Sequence, residues 1–431
     1  MKKHLFLAVL WICLTAHSQS LYYPPISGNT WDTLAPQSLG WCQARIDSLY
    51  NYAQAKNSKS LIILKNGKIV LEKYFGTYTA DSIHYWASAS KSLASFITGI
   101  AQQKGYININ NKVSQYIGTG WTSAPLVKEN LITVKHLISM TAGLNELPAF
   151  PCDHTDTAKA CLQYMADAGT RWSYHTGAYR KVQDVVSTTV GISYNAVTNN
   201  WVEAFTGMNG FWAGQVYYSK ARDMARFGLL NLHKGIWAND TLLKDSLYFK
   251  NMTNTSQNLN NSYGYLWWLN GKPSYMAPFV QAVVPGAMFS NPSSDMFCAL
   301  GKDDQKIYIV PSQKLVVIRQ GNSAGPSSAA ASAFDNILWD YINKLNCNAS
   351  GINEFNDEKN ISVYPNPTTP WFYITSSQEI KTVLATDILG RKTELLVDGN
   401  KVNCENLNKG VYLLNITLSN KQQVFKKVVV D

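Results

Sequence analysis

With 431 residues, 46% of them hydrophobic and 12% aromatic, the chain has apolar material for two or three packed units and is not a disordered polymer. Its formal net charge of +10 is spread thinly, with no run of five Lys or Arg. That pattern argues against a nucleic-acid partner and for a mildly basic, solvated surface.

The chain opens with "MKKHLFLAVLWICLTAHSQS", two lysines before an apolar run, with small residues at Ala16 and Ser18. This predicts a signal peptide over 1–18 and an exported mature protein. No later stretch is long and apolar enough to predict a transmembrane segment. Of seven cysteines, Cys13 leaves with the leader, and an oxidising compartment favours disulfides among the rest. Cys152 and Cys161 bracket a polar loop and are the expected bridge. A zinc site using His154 is a poorer reading, because no second paired-ligand cluster exists. The pairing of Cys42, Cys298, Cys347 and Cys404 stays open.

Residues 37–57 predict an opening helix, with Trp41, Ile46, Leu49 and Tyr52 at helical spacing. "SLIILKNGKIVLEKYFG" predicts a hairpin turning at Asn66-Gly67. An amphipathic helix follows Ser88, carries Leu93, Phe96, Ile97 and Ile100 on one face, and stops at Gly105. "ITVKHLISMTAGL" and "SKARDMARFGLLNLHKG" predict further helices, "YGYLWWLNG", "QKIYIVPS" and "KLVVIRQG" strands, and "SAAASAFDNILWDYINKL" a closing helix. Strands at both ends with helices between suggest one sheet assembled from both ends and a central helical lobe. A polar linker is expected over 347–360, separating a domain at 19–346 from short β-runs over 361–431 that suggest a small β-sandwich.

Ser88-x-x-Lys91 is by itself weak, expected about once or twice by chance in a chain this long. Here it occurs once, at the start of an amphipathic helix. Residues three apart on a helix share a face. A buried Lys near the positive end of a helix dipole is pushed toward its neutral form and can serve as a base. The helix N-terminus also offers backbone N–H groups to a developing oxyanion. The rival nucleophile is Ser323 in "GNSAG", a Gly-x-Ser-x-Gly between strand and helix. That architecture needs a His after its Ser, and the last His is His233.

"SASKSLASFITGIAQQKGYININNKVSQYI", followed by "ITVKHLISMTAGL", "GTRWSYHTGAY", "YYSKARDMARFGLLNLHKGIW" and "DQKIYIVPSQKLVVIRQG", resembles the serine β-lactamase-related family over about residues 40–345. That family includes class C β-lactamases, DD-peptidases, esterases and 6-aminohexanoate-dimer hydrolases. The resemblance implies an α/β fold: an antiparallel sheet flanked by helices, with a helical lobe. It implies Ser88 as nucleophile, Lys91 as base and Tyr174 as proton carrier. Tyr174-His175-Thr176 matches the second family motif, with Thr176 where an amide often stands. His175 and Tyr179 read as pocket wall or packing. The third motif falls at Ala299-Leu300-Gly301, where Gly301 would let substrate approach the strand and a nearby N–H would complete an oxyanion hole. The usual cation and hydroxyl are missing there, although Lys302 or Arg319 lies close in sequence. Trp172, with Trp212 as a second candidate, would supply an aromatic wall for neutral acyl groups. The expected activity is hydrolysis of a small-molecule ester or amide, with no metal or organic cofactor. A penicillin-recognising protein or β-lactamase, and a non-catalytic surface binder on the same scaffold, are the alternatives.

Tyr364-Pro365-Asn366-Pro367, Gly390-Arg391 and Gly410-Val411-Tyr412 resemble the type A C-terminal sorting domain of type IX secretion. That resemblance implies an Ig-like β-sandwich that engages the secretion machinery, and a protein secreted or held at the outer cell surface.

Overall fold

The computed structural model describes residues 21–325, 331–347, 361–376, 378–419 and 423–431, so the predicted leader and nearly all of the predicted linker lie outside the described residues. The chain divides into two compact units, 1–348 and 349–431.

The first unit is built on a six-stranded sheet. Helix α1 (Gln43–Ala55) leads into β1 (Ser58–Lys65) and β2 (Lys68–Tyr74), which form the expected hairpin with both turn residues in the left-handed region. The other strands come from the far end of the unit: β6 (Trp268–Leu269), β9 (Phe297–Gly301), β10 (Gln305–Val310) and β11 (Leu315–Gly321). The order β2-β1-β11-β10-β9-β6 pairs β1 with β11, so the sheet is assembled from both chain ends. Residues 61–64, 305–310 and 315–321 are buried without alternation, as strands covered on both faces must be. Between the sheet halves lie β3 (Ile83–Tyr85), α2 (Ser90–Gln103), α3 (Thr176–Val190), and the β4 (Gly210–Ala213) and β5 (Val216–Lys220) pair. Helix α4 (Ala221–Leu232) packs across β1, β10 and β11, close enough that Gly228 faces Val316 with no room for a side chain. The closing helix α5 (Ala333–Asn343) is capped by Ser332, whose Oγ accepts from Phe334 N while Asp335 accepts from Ser332 N.

Several local expectations are revised. The opening helix begins only at Gln43, after a separate 3₁₀ turn at Pro36–Leu39. In "YGYLWWLNG" only Trp268–Leu269 is strand, because the aromatic side chains before it pack as loop. α2 is buried around nearly its whole circumference from Ser90 to Ala101, so it is a core helix and not a half-solvated one. Cys152 and Cys161 are bridged as expected, and Cys42 bonds Cys347, placing Cys347 inside the first unit instead of in a linker. Cys298 and Cys404 are free and buried.

The second unit is an all-β body of two antiparallel four-stranded sheets. One holds Ser362–Tyr364, Trp371–Thr375, Lys401–Asn403 and Val397–Asp398 in that order; the other holds Lys392–Leu395, Ile380–Thr386, Gly410–Leu418 and Gln423–Val430. Alternating residues such as Phe372, Ile374, Val383, Leu414 and Ile416 fill the core between them.

Candidate active site

Ser88 sits in a 3₁₀ turn, Ala87–Ala89, wedged between β3 and α2. The turn is forced: Ala87 holds φ +48°, a left-handed conformation that a residue with a β-carbon rarely adopts. Trp86 anchors it from below, fully buried, with its indole N–H donating to Ser219 Oγ at 2.9 Å and its backbone N–H donating to Tyr217 O at 2.9 Å. Against the same turn lies the end of β9. A β-carbon at Gly301 would collide with the Trp86 carbonyl and stand 3.1 Å from Ala87 Cβ. Glycine at 301 thus makes room for the Ser88 turn itself, where the sequence suggested room for substrate.

One helical turn on, Lys91 Nζ donates to Ser88 Oγ at 2.8 Å. The lysine is enclosed, and burial pushes its pKa down from 10.5 to about 7. Its nitrogen lies 4.9 Å from the centroid of Tyr174 and 4.7 Å from that of Tyr179. Tyr179, read from sequence as pocket wall or packing, is half of an aromatic sleeve around Lys91; its hydroxyl donates to Gln215 O at 2.6 Å. Tyr174 stands with Ser88 on the cavity lining; burial raises its pKa well above the ordinary phenol value, and the Ser88 hydroxyl draws it part of the way back. Tyr174, distant in sequence, is thus brought beside the neighbouring Ser88 and Lys91. His175 turns inward instead: its Nδ1 accepts from Ala178 N at 3.2 Å and caps α3, and burial drives its pKa down to about 4.

Ser88 and Tyr174 open into a cavity of about 770 Å³. Thr176 lines it, as expected of the second motif. Trp172 does not: it is buried behind the wall, its ring 6.3 Å from Tyr174 and 6.0 Å from Trp268. Trp212 is elsewhere, its indole N–H donating to Thr198 Oγ1. The aromatic wall belongs instead to Trp268, stacked on Tyr174 at 5.9 Å, with Tyr275, Phe279 and Phe289 beyond it.

The cavity has a cation. Lys302, next after Gly301, lines it, while Arg319 is buried and committed to Ser58 Oγ and to the carbonyls of Asp303, Asp304, Lys56 and Asn322. His154 lines it too, delivered by the disulfide loop 152–161 and set edge-on to Phe279 at 4.8 Å. Burial lowers its pKa, the Asp153 carboxylate opposes that, and the nearby Lys91 and Lys302 add to the lowering. Cys152, Asp156 and Cys161 come together, but both sulfurs are in the disulfide, which removes them as zinc ligands. Ser323 lies apart from the cavity residues, its hydroxyl donating to Gly325 O at 2.9 Å.

Residues 52–338 match the Beta-lactamase family model. The chain belongs to that family. Members are generally serine hydrolases, and its solved relatives share the fold at low identity. A protein assigned as a 6-aminohexanoate-dimer hydrolase from Bacillus anthracis is 19% identical over 75% of this chain and 89% of its own, with TM-score 0.57. One assigned as a β-lactamase from Bacteroides dorei is 15% identical over 71% and 99%, with TM-score 0.57. The octameric penicillin-binding protein homologue from Pyrococcus abyssi is 14% identical over 90% and 96%, with TM-score 0.51. No curated protein matches the chain. Residues 362–431 match the secretion system C-terminal sorting domain, which directs type IX export to the cell surface or beyond. Among the described residues no helix is long and apolar enough to cross a membrane.

Proposed function

We propose that this Beta-lactamase family member hydrolyses esters or amides of apolar acyl groups through an acyl-enzyme on Ser88. The observation that carries the reading is the 2.8 Å Lys91–Ser88 hydrogen bond made by a lysine whose pKa burial lowers to about 7. Near neutral pH a large share of such lysines is the free amine, able to take the Ser88 proton. Ser88 Oγ then attacks the carbonyl carbon. The oxyanion faces the backbone N–H of Ser88 and the β9 end at Gly301–Lys302. Tyr174, beside both Ser88 and Lys91, passes the proton to the leaving alcohol or amine. Water then attacks the acyl carbon, giving up its proton to the same Lys91–Tyr174 pair, and Ser88 is released with the carboxylic acid.

Lys302 favours a second reading, in which the substrate carries a carboxylate, as β-lactams do. Its position one residue past the third motif, on the solvent side of the cavity, leaves the deep wall apolar. We therefore rank neutral acyl substrates first. Short p-nitrophenyl esters are expected to turn over and nitrocefin to turn over poorly. Nitrocefin hydrolysed as fast as the esters would make the second reading the correct one.

A further inference from the structure

Beside the cavity stands a hairpin whose composition the hydrolysis reading does not explain. Strands β7 (Ser274–Tyr275) and β8 (Val284–Pro285) pair antiparallel. Residues 273–294 contain no Asp, Glu, Lys, Arg or His. The hairpin base is held firmly: Asn260 Oδ1 accepts from Met276 N at 3.1 Å, and Ser262 Oγ donates to Ser274 O at 2.9 Å. Its tip is the reverse. Every residue from Phe279 to Ala287 is exposed, Val280 by 46% and Val283 by 57%, and Gln281 is the sole polar side chain among them. Gln281 is turned back, donating to Glu146 Oε1 at 3.2 Å and Trp172 O at 3.0 Å. The loop so tied brings two more exposed apolar side chains, Leu147 and Phe150, the latter 95% exposed.

An exported protein in water has no reason to hold such a tip open for its own stability, and contiguous exposed apolar surface marks a contact site. The occupant follows from continuity. Phe279, where the tip begins, and Pro278 and Ala277 beside it line the same cavity as Trp268 and Ser88. Whatever covers the tip is thus continuous with what is cleaved, whereas a docked protein or a second copy would close the mouth. Resting on the hydrolase reading, we propose that the 274–285 hairpin seats on the surface of aggregated lipid-like acyl esters. From there an acyl chain slides into the cavity for hydrolysis to the fatty acid and the alcohol.

The test titrates tributyrin through its solubility limit, with dissolved p-nitrophenyl acetate as the control. Wild type is expected to accelerate at least fivefold once droplets form. Val280→Ser/Val283→Ser, on exposed positions outside the cavity lining, is expected to lose that acceleration while keeping p-nitrophenyl acetate turnover within twofold. No acceleration in wild type, or acceleration kept by the double variant, overturns the proposal. So does a wild-type dimer in sedimentation that the double variant dissociates, which would make the tip a copy-to-copy contact. Co-flotation of Ser88→Ala protein with tributyrin droplets separates this proposal from the hydrolase reading. Flotation kept in Ser88→Ala but lost with the two serines supports the surface even if Ser88 proves inert.

Discussion

The backbone carbonyl of Trp86 occupies the space in which a side chain on residue 301 would begin. The end of β9 and the turn that presents Ser88 are therefore in contact through backbone, with no side chain to adjust between them. An oxyanion held between these two segments would have its donors fixed before substrate arrives.

Gly301→Ala is expected to push the two segments apart. Loss of one oxyanion donor lowers kcat by about a hundredfold to a thousandfold. The effect should fall on kcat for p-nitrophenyl acetate more than on KM, because the oxyanion exists only in the transition state. A kcat within threefold of wild type, in protein shown to be folded by circular dichroism, would remove β9 from the oxyanion site.

The pH profile follows from Lys91. Its folded pKa lies below the ordinary lysine value, near 7, and the proton-accepting form is the free amine. Activity should therefore rise about tenfold per pH unit below 7 and level off above it. Tyr174 ionises only far above that range, so no descending limb is expected up to pH 9. A rate still climbing tenfold per unit at pH 9 would mean that Lys91 is charged in the working enzyme.

Tyr174→Phe keeps the ring beside Lys91 and stacked on Trp268 but removes the hydroxyl next to Ser88. Loss of a positioned proton carrier costs about a hundredfold or more in kcat. Steady-state kinetics with an ester and an amide of the same acyl group should show the amide more affected, since its leaving group needs the proton. Equal small losses on both would reduce Tyr174 to packing.

Lys306 lies fully buried between Asp304 and Asp335, at 3.1 and 2.7 Å. The two carboxylates also take Ser332 Oγ and Ser332 N, tying the turn after β9 to the N-terminus of α5. Lys306→Met leaves two buried carboxylates with less counter-charge and should cost about 3–5 kcal/mol of stability. Chemical denaturation of the first unit measures this, and a loss under about 1 kcal/mol would show that the cluster is not a stabilising clamp.

Ending the chain at residue 348 should leave a folded hydrolase, since each unit has its own core. In its host the truncated chain should stay in the periplasm. Normal surface display would contradict a sorting role for residues 362–431.

The hairpin at Asn66-Gly67, the sheet built from both ends, the Ser88-x-x-Lys91 pair and Tyr174 were all legible in the sequence. Turn chemistry, strand runs and motif order are local signals, and local signals survive without a structure. The cavity wall was not legible. Trp172 and Trp268 look alike as letters; only packing decides that one stands behind the other. The cation was legible as Lys302 or Arg319, and burial decided between them, because Arg319 spends its donors on backbone carbonyls. His154 and Tyr179 carried no motif that could single them out. They matter through what a disulfide loop and a helix face bring within reach of Ser88 and Lys91. The hairpin tip left one sequence trace, the uncharged run from 273 to 294, whose meaning depends on its being exposed.

The central claim is that Ser88 is the nucleophile, and intact mass after treatment with a fluorophosphonate tests it most directly. Wild-type protein should gain one phosphonyl group, mapped by peptide sequencing to Ser88. Ser88→Ala should gain none and lose ester turnover, and Ser323→Ala should behave as wild type. Labelling that persists in Ser88→Ala, or that maps to Ser323, would contradict the account.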